Sequence, residues 1–82
     1  VVRRALPSGL RLVVVPRPAA DLVALDLRVR AGAADGPAGV AHVLEHLVFK
    51  GSPDRAPGEI DAAVERLGGE LGARTFRDAT QY

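Results

Sequence analysis

The clearest periodicity lies at residues 23–30, where Val23, Leu25, Leu27 and Val29 alternate with Ala24, Asp26, Arg28 and Arg30. A period of two places the apolar set on one side of an extended chain, so this segment is expected as a strand with one buried face. Upstream, Leu10 to Val15 is rich in β-branched residues and ends at Pro16, which has no N–H to give to a ladder. Pro7-Ser8-Gly9 carries turn chemistry, proline early and glycine free to take positive φ. Residues 1–18, VVRRALPSGLRLVVVPRP, are therefore expected to form a β-hairpin, followed by a Pro/Ala loop over residues 16–21.

Beyond the loop AGAADGPAG the period changes. At ~100° per residue, Val40, Val43, Leu44, Leu47 and Val48 fall on one stripe, and His42, Glu45, His46 and Phe49 on the opposite one. This predicts a helix over roughly Val40 to Lys50, stopped by Gly51 with Pro53 beyond, its apolar stripe packed against the sheet. A second helix is expected after Pro57, with Ile60, Ala63, Val64 and Leu67 at i, i+3, i+4, i+7 and Gly68-Gly69 ending it. Glu70 to Phe76 and Ala79 to Tyr82 read as strand. The expected fold class is α+β, a largely antiparallel sheet with helices packed on one face.

Composition narrows the function classes. The chain has 82 residues, 48% hydrophobic and 26% charged, an ordinary globular balance. A chain of this length buries only about 60–65% of its unfolded surface, so modest stability is expected. Eleven basic and ten acidic residues are interspersed, for a net charge of +1. No basic stripe for nucleic acid and no polybasic membrane patch results, so neither partner is expected. No apolar run approaches the ~18 residues of a membrane span, and the N-terminal VVRRALPSG lacks a signal-peptide core. The absence of cysteine excludes thiolate metal sites and disulfides. No initiating methionine is present, in keeping with a processed or trimmed product. The compartment stays open, with a soluble, cytoplasmic setting expected over a periplasmic or organellar one.

The chemistry is concentrated in HVLEH, residues 42–46, which holds the only two histidines of the chain. On a helix His42 and His46 stand at i, i+4, one above the other and close enough to share an ion. Glu45 lies beside them on the same face. Neutral imidazole is a common zinc ligand, and a carboxylate beside the metal's water can take its proton and return it to a leaving amine. His-x-x-Glu-His is the inverted form of the better-known zinc-protease spacing. A bare five-residue match also fits the polar face of an ordinary helix, or an interaction module whose histidines are incidental. Against that, a solvated face usually carries Lys, Glu, Gln or Ser, and here the polar groups of the helix interior are these three.

The flanks are informative. The stretch GVAHVLEHLVFKGSPDRAPGEIDAAVERLGGELGARTFRDATQY, with its FKG helix end, GEID helix and LGGEL link, resembles the pitrilysin family of zinc peptidases. That family includes insulin-degrading enzyme, the mitochondrial processing peptidase and many bacterial processing-protease-like proteins. Upstream, PSGLRLVVVP and VALDLRVRAGAADGPAG are similar to the same family's N-terminal strands. The resemblance covers essentially the whole chain and the beginning of one family domain. It implies a zinc metalloendopeptidase acting on peptides or unfolded segments, with His42 and His46 as zinc ligands and Glu45 as the general base. It also implies a third ligand, a glutamate, beyond Tyr82. Residues 1–82 are thus expected to be the N-terminal portion of one domain, incomplete at its C-terminus, binding zinc weakly and inactive alone. A second family domain or subunit closing a chamber is the expected protein partner. The alternative the family offers is a non-catalytic partner or structural domain, but such members usually lose motif residues and this chain retains all three.

Two departures stand out. Where the family usually shows Asn-Ala-x-Thr, this chain has Gly72-Ala73-Arg74-Thr75, which removes an amide placed near substrate; a strand-start bend is the structural explanation for the glycine. The family's following glutamate is replaced by Asp78. Arg74, Arg77 and Asp78 are expected as solvated strand residues. Phe49 is expected as packing or as part of the site's lining.

Overall fold

The structure is a computed structural model describing residues 1–82. Its elements in chain order are β1 (Val2–Ala5), β2 (Arg11–Val14), β3 (Arg28–Val29), α1 (Val40–Val48), α2 (Glu59–Arg66), β4 (Arg74–Thr75) and β5 (Thr80–Gln81). Two antiparallel sheets, one of β1 and β2 and one in the order β3-β5-β4, together with two helices make this an α+β chain.

The N-terminal hairpin forms as its turn residues dictate. Gly9 N–H donates to the Leu6 carbonyl at 2.8 Å, and Leu6 N–H donates to the Leu10 carbonyl at 2.8 Å. Pro7 pre-sets φ for the first turn position, and Gly9 sits at φ 89° in the left-handed region. The register pairs Val2 with Val14 and Ala5 with Arg11.

The strand expected over residues 23–30 contracts to Arg28–Val29. One further pair extends it, with Leu27 and Tyr82 exchanging N–H···O bonds at 2.8 Å in both directions. Residues 22–26 have no ladder partner among residues 1–82, and the expected buried face is open: Val23 is 88% and Leu25 90% exposed. Alternation gives a segment the capacity to be a strand, but a strand exists only where a second strand satisfies its N–H and C=O groups. The same rule shortens the two C-terminal strands to the two-residue β4 and β5, which pair Arg74 with Gln81 and Thr75 with Thr80.

Both helices begin on a glycine in the left-handed region, Gly39 at φ 84° and Gly58 at φ 83°. Pro57 lies just before the Gly58 cap rather than in the first helical turn. The start of α2 is tied back by Glu59, whose carboxylate accepts from Ala56 N–H at 2.7 Å, two residues before the Gly58 cap.

The largest difference from expectation is the orientation of α1. Its apolar stripe does not pack against the sheet: Val40, Val43, Leu44, Leu47 and Val48 are all exposed. The helix instead leans on β4 through Glu45, which Thr75 holds, while Phe49 at its C-cap packs against Tyr82. α2 makes no extensive contact with either sheet. The buried residues are Gly32, Glu45 and Thr80, and no hydrophobic side chain is fully buried. With a radius of gyration of 14.9 Å, against roughly 12 Å for a compact domain of this length, the chain is an open layer without a closed core. No helix is long and apolar enough to cross a membrane.

Candidate metal centre

α1 carries three chemically active side chains, His42, Glu45 and His46, of which Glu45 is turned against β4. Helical spacing stacks His42 on His46, with ring centroids 4.7 Å apart and planes tilted by 54°. Their Nε2 atoms lie 3.0 Å from each other. Both rings are exposed, whereas Glu45 is only 9% exposed. Donor atoms of His42, Glu45 and His46 all fall within 4.8 Å of one another, and no other group of three or more His, Asp or Glu side chains converges in this way.

Two nitrogens each ~2.0–2.1 Å from a shared tetrahedral zinc lie roughly 3.3 Å apart. The observed 3.0 Å requires an opening of only a few tenths of an ångström, which exposed imidazoles accommodate. With its proton on Nδ1, each ring offers an Nε2 lone pair to a metal. The donor set is hard-to-borderline, imidazole and carboxylate, and suits zinc. The residues therefore fit a zinc ion, with two imidazoles as the available nitrogen donors.

Glu45 is held from across the fold. Thr75 Oγ1, thirty residues away on β4, donates a hydrogen bond to Glu45 Oε2. No second hydrogen bond reaches the carboxylate, and no buried side-chain polar atom is left unpartnered. Oε1, which has no hydrogen-bond partner, therefore keeps contact with solvent. Thr75 is itself fixed by its pairing with Thr80, and the turn between them is closed by Phe76 N–H donating to the Ala79 carbonyl at 2.8 Å. Thr80 is 4% exposed and donates its hydroxyl to the Ala31 carbonyl at 2.7 Å. Local sequence shows Thr75 only as a strand residue; its connection to Glu45 exists because α1 lies over β4.

Beside the cluster is a cleft of about 250 Å³ lined by Glu45, His46, Phe49, Leu71, Gly72 and Ala73 among others. Phe49 both lines this cleft and packs edge-on against Tyr82, with ring centroids 5.9 Å apart. Gly72 has no positive φ, and a Cβ built there would meet nothing within 4 Å. The backbone does not need glycine at this position, so the bend expected from sequence does not explain it. Arg74 is exposed and stacks its guanidinium 5.2 Å from the Phe76 ring; Arg77 and Asp78 are exposed as expected.

The structure is thus an α+β chain with one convergent donor cluster, His-x-x-Glu-His on a helix. Comparison with known proteins supplies the family. The profile described as "Insulinase (Peptidase family M16)" matches residues 11–82, and the chain belongs to that family. An uncharacterised zinc protease of Mycobacterium tuberculosis is 41% identical over 83 residues, covering 98% of this chain and 19% of the relative. The zinc protease PqqE of Helicobacter pylori is 37% identical over 81 residues, covering 94% of this chain and 18% of that protein. A probable mitochondrial-processing peptidase subunit beta of Arabidopsis thaliana is 35% identical over 80 residues, covering 94% and 15%. The chain thus spans about one fifth of the length of these relatives. No solved structure matches it.

Proposed function

We propose that residues 1–82 are the N-terminal portion of a zinc-peptidase domain, and that the whole protein is a zinc metalloendopeptidase hydrolysing peptides or unfolded segments. The observation that carries this reading is the His42–His46 pair, Nε2 to Nε2 3.0 Å, with the Glu45 carboxylate in the same cluster. In this reading His42 and His46 hold zinc and Glu45 is the general base. A third ligand comes from outside residues 1–82, because the cluster contains no further His, Asp or Glu and a catalytic zinc takes three protein ligands. On its own this segment would bind the metal weakly and not turn over substrate. A second domain or subunit of the same family would close the site around a peptide; one relative's name, a processing-peptidase subunit, is in keeping with such an assembly.

When bound, zinc supplies Lewis acidity that activates a water and polarises the scissile carbonyl. The protein's own part is positional and protolytic. His42 and His46 would hold the metal, and His46 also lines the cleft. The Glu45 carboxylate would accept a proton from the attacking water and deliver it to the departing amine. The cleft beside Phe49 and Gly72 accommodates the residue next to the cleaved bond. A non-catalytic partner role finds no support in the cluster, since all three motif residues are present and converge.

The deciding experiment is Glu45→Gln in the full-length protein. The expected result is loss of peptide hydrolysis by about 10²–10⁴-fold, the usual contribution of a general base, with zinc content unchanged. Undiminished hydrolysis would show that Glu45 is not the base.

A further inference from the structure

We propose that Thr75 is a positioning residue for the Glu45 carboxylate, orienting it so that one oxygen is anchored and the other is free to handle the proton. This rests on the reading of Glu45 as the base. A glutamate has three rotatable side-chain bonds, and its terminal torsion is broad, so its two oxygens interchange unless a partner distinguishes them. Catalytic groups need placement within about half an ångström, which usually means a neighbour that is itself immobile. Thr75 meets that condition. Its hydroxyl donates to Glu45 Oε2 alone, leaving Oε1 without a hydrogen-bond partner and in contact with solvent, in a carboxylate that converges with His42 and His46.

The anchor is stiff for reasons visible in the fold. Threonine is β-branched, with few χ1 states. Its strand is paired through Thr80, the least exposed polar residue of the chain, and Thr80 is bonded in turn to the Ala31 carbonyl. Gly32, buried next to it, brings the 31–35 loop against the turn after β4: Ala33 and Ala34 N–H donate to the Phe76 and Arg77 carbonyls, each at 2.8 Å. The threonine hydroxyl is thus carried on a strand and turn held by several backbone hydrogen bonds. A hydroxyl is also suited to the role because it donates without adding charge beside a base.

The test uses the full-length zinc-loaded protein with Thr75→Val, which removes the hydroxyl at nearly constant shape, and Thr75→Ser, which restores it. Thr75→Ala, run alongside, serves if the valine variant does not accumulate folded. The expected outcome is a roughly 10–100-fold fall in kcat without the hydroxyl, the scale of a misplacement of about 1 Å. KM should change less than about twofold, zinc stoichiometry should stay at the wild-type value, and serine should return kcat to within about threefold. Wild-type kcat in the valine and alanine variants, or a serine variant as slow as they are, overturns the proposal.

Activity alone is not the only readout. In the zinc-free protein, Thr75→Val should lower the Tm when Glu45 is present and shift it by less than about 1 °C when Glu45 is alanine, the signature of a direct coupling. Equal shifts in both backgrounds overturn the contact. Glu45→Gln separates the two readings. A fully active glutamine variant removes the base and its positioning together, whereas an inactive one beside an active Thr75→Val removes only the positioning.

Discussion

Glu45 and Thr75 are thirty residues apart in sequence and joined by a hydrogen bond that links the middle of α1 to the short strand β4. Of the His-Glu-His cluster only Glu45 is turned against the sheet; both histidine rings and the valines and leucines of α1 are exposed. The chemistry of the site and the orientation of the helix are therefore coupled through this contact.

Metal binding should depend on both imidazoles. His42→Ala or His46→Ala in the full-length protein should weaken zinc binding by at least ~100-fold, beyond the 10–100-fold that loss of a supporting outer-shell group costs. Competition with a chromophoric chelator measures this directly. Wild-type affinity in either variant would exclude that histidine as a ligand.

Chelation should abolish peptide hydrolysis, and added zinc should restore it. The expected stoichiometry is one zinc per cluster of this kind, read by elemental analysis. Activity that survives complete metal removal would contradict the zinc-peptidase reading.

Gly32→Ala should be among the most damaging small substitutions in the segment. A Cβ at Gly32 would lie 2.6 Å from Ala79 N and 2.7 Å from Arg77 C, and against the Phe76 carbonyl oxygen. These are backbone atoms of the turn that carries Thr75 to Thr80, so relief requires moving the turn away. A loss on the order of 1–3 kcal/mol is expected from such overpacking, visible as a lowered Tm. Because the same turn positions Thr75, kcat should fall as well.

Gly72→Asn should be tolerated structurally, since a side chain there meets open space and the backbone is in an ordinary region. Stability should stay within about 0.5 kcal/mol, as for most surface changes. If the family's usual asparagine engages substrate, the variant should lower KM by about 2–10-fold, the value of one net hydrogen bond. An unchanged KM would show that position 72 does not touch the peptide.

Gly39→Ala should destabilise the start of α1. Gly39 is the N-cap at φ 84°, where a Cβ costs roughly 1–2 kcal/mol and no side-chain cap offsets it. The measurement is the change in urea midpoint. A neutral result would mean that the cap relaxes to negative φ without loss.

Much of this protein was determined by sequence alone because the determining interactions are local. Pro7-Ser8-Gly9 specifies its hairpin turn, and the spacing of Val40, Val43, Leu44 and Leu47 specifies a helix. That helix by itself stacks His42 on His46, since residues four apart meet on any α-helix. The HVLEH cluster was therefore legible before any tertiary contact was known. What the tertiary structure decided is non-local. The alternation of Val23, Leu25, Leu27 and Val29 became a strand only where Tyr82, Gln81 and Thr80 supplied backbone partners. The outward turn of the α1 apolar stripe, and the choice of Thr75 as the partner of Glu45, depend on how α1 lies across β4. Periodicity states which residues share a face, but which face is covered is settled by whatever segment arrives to cover it.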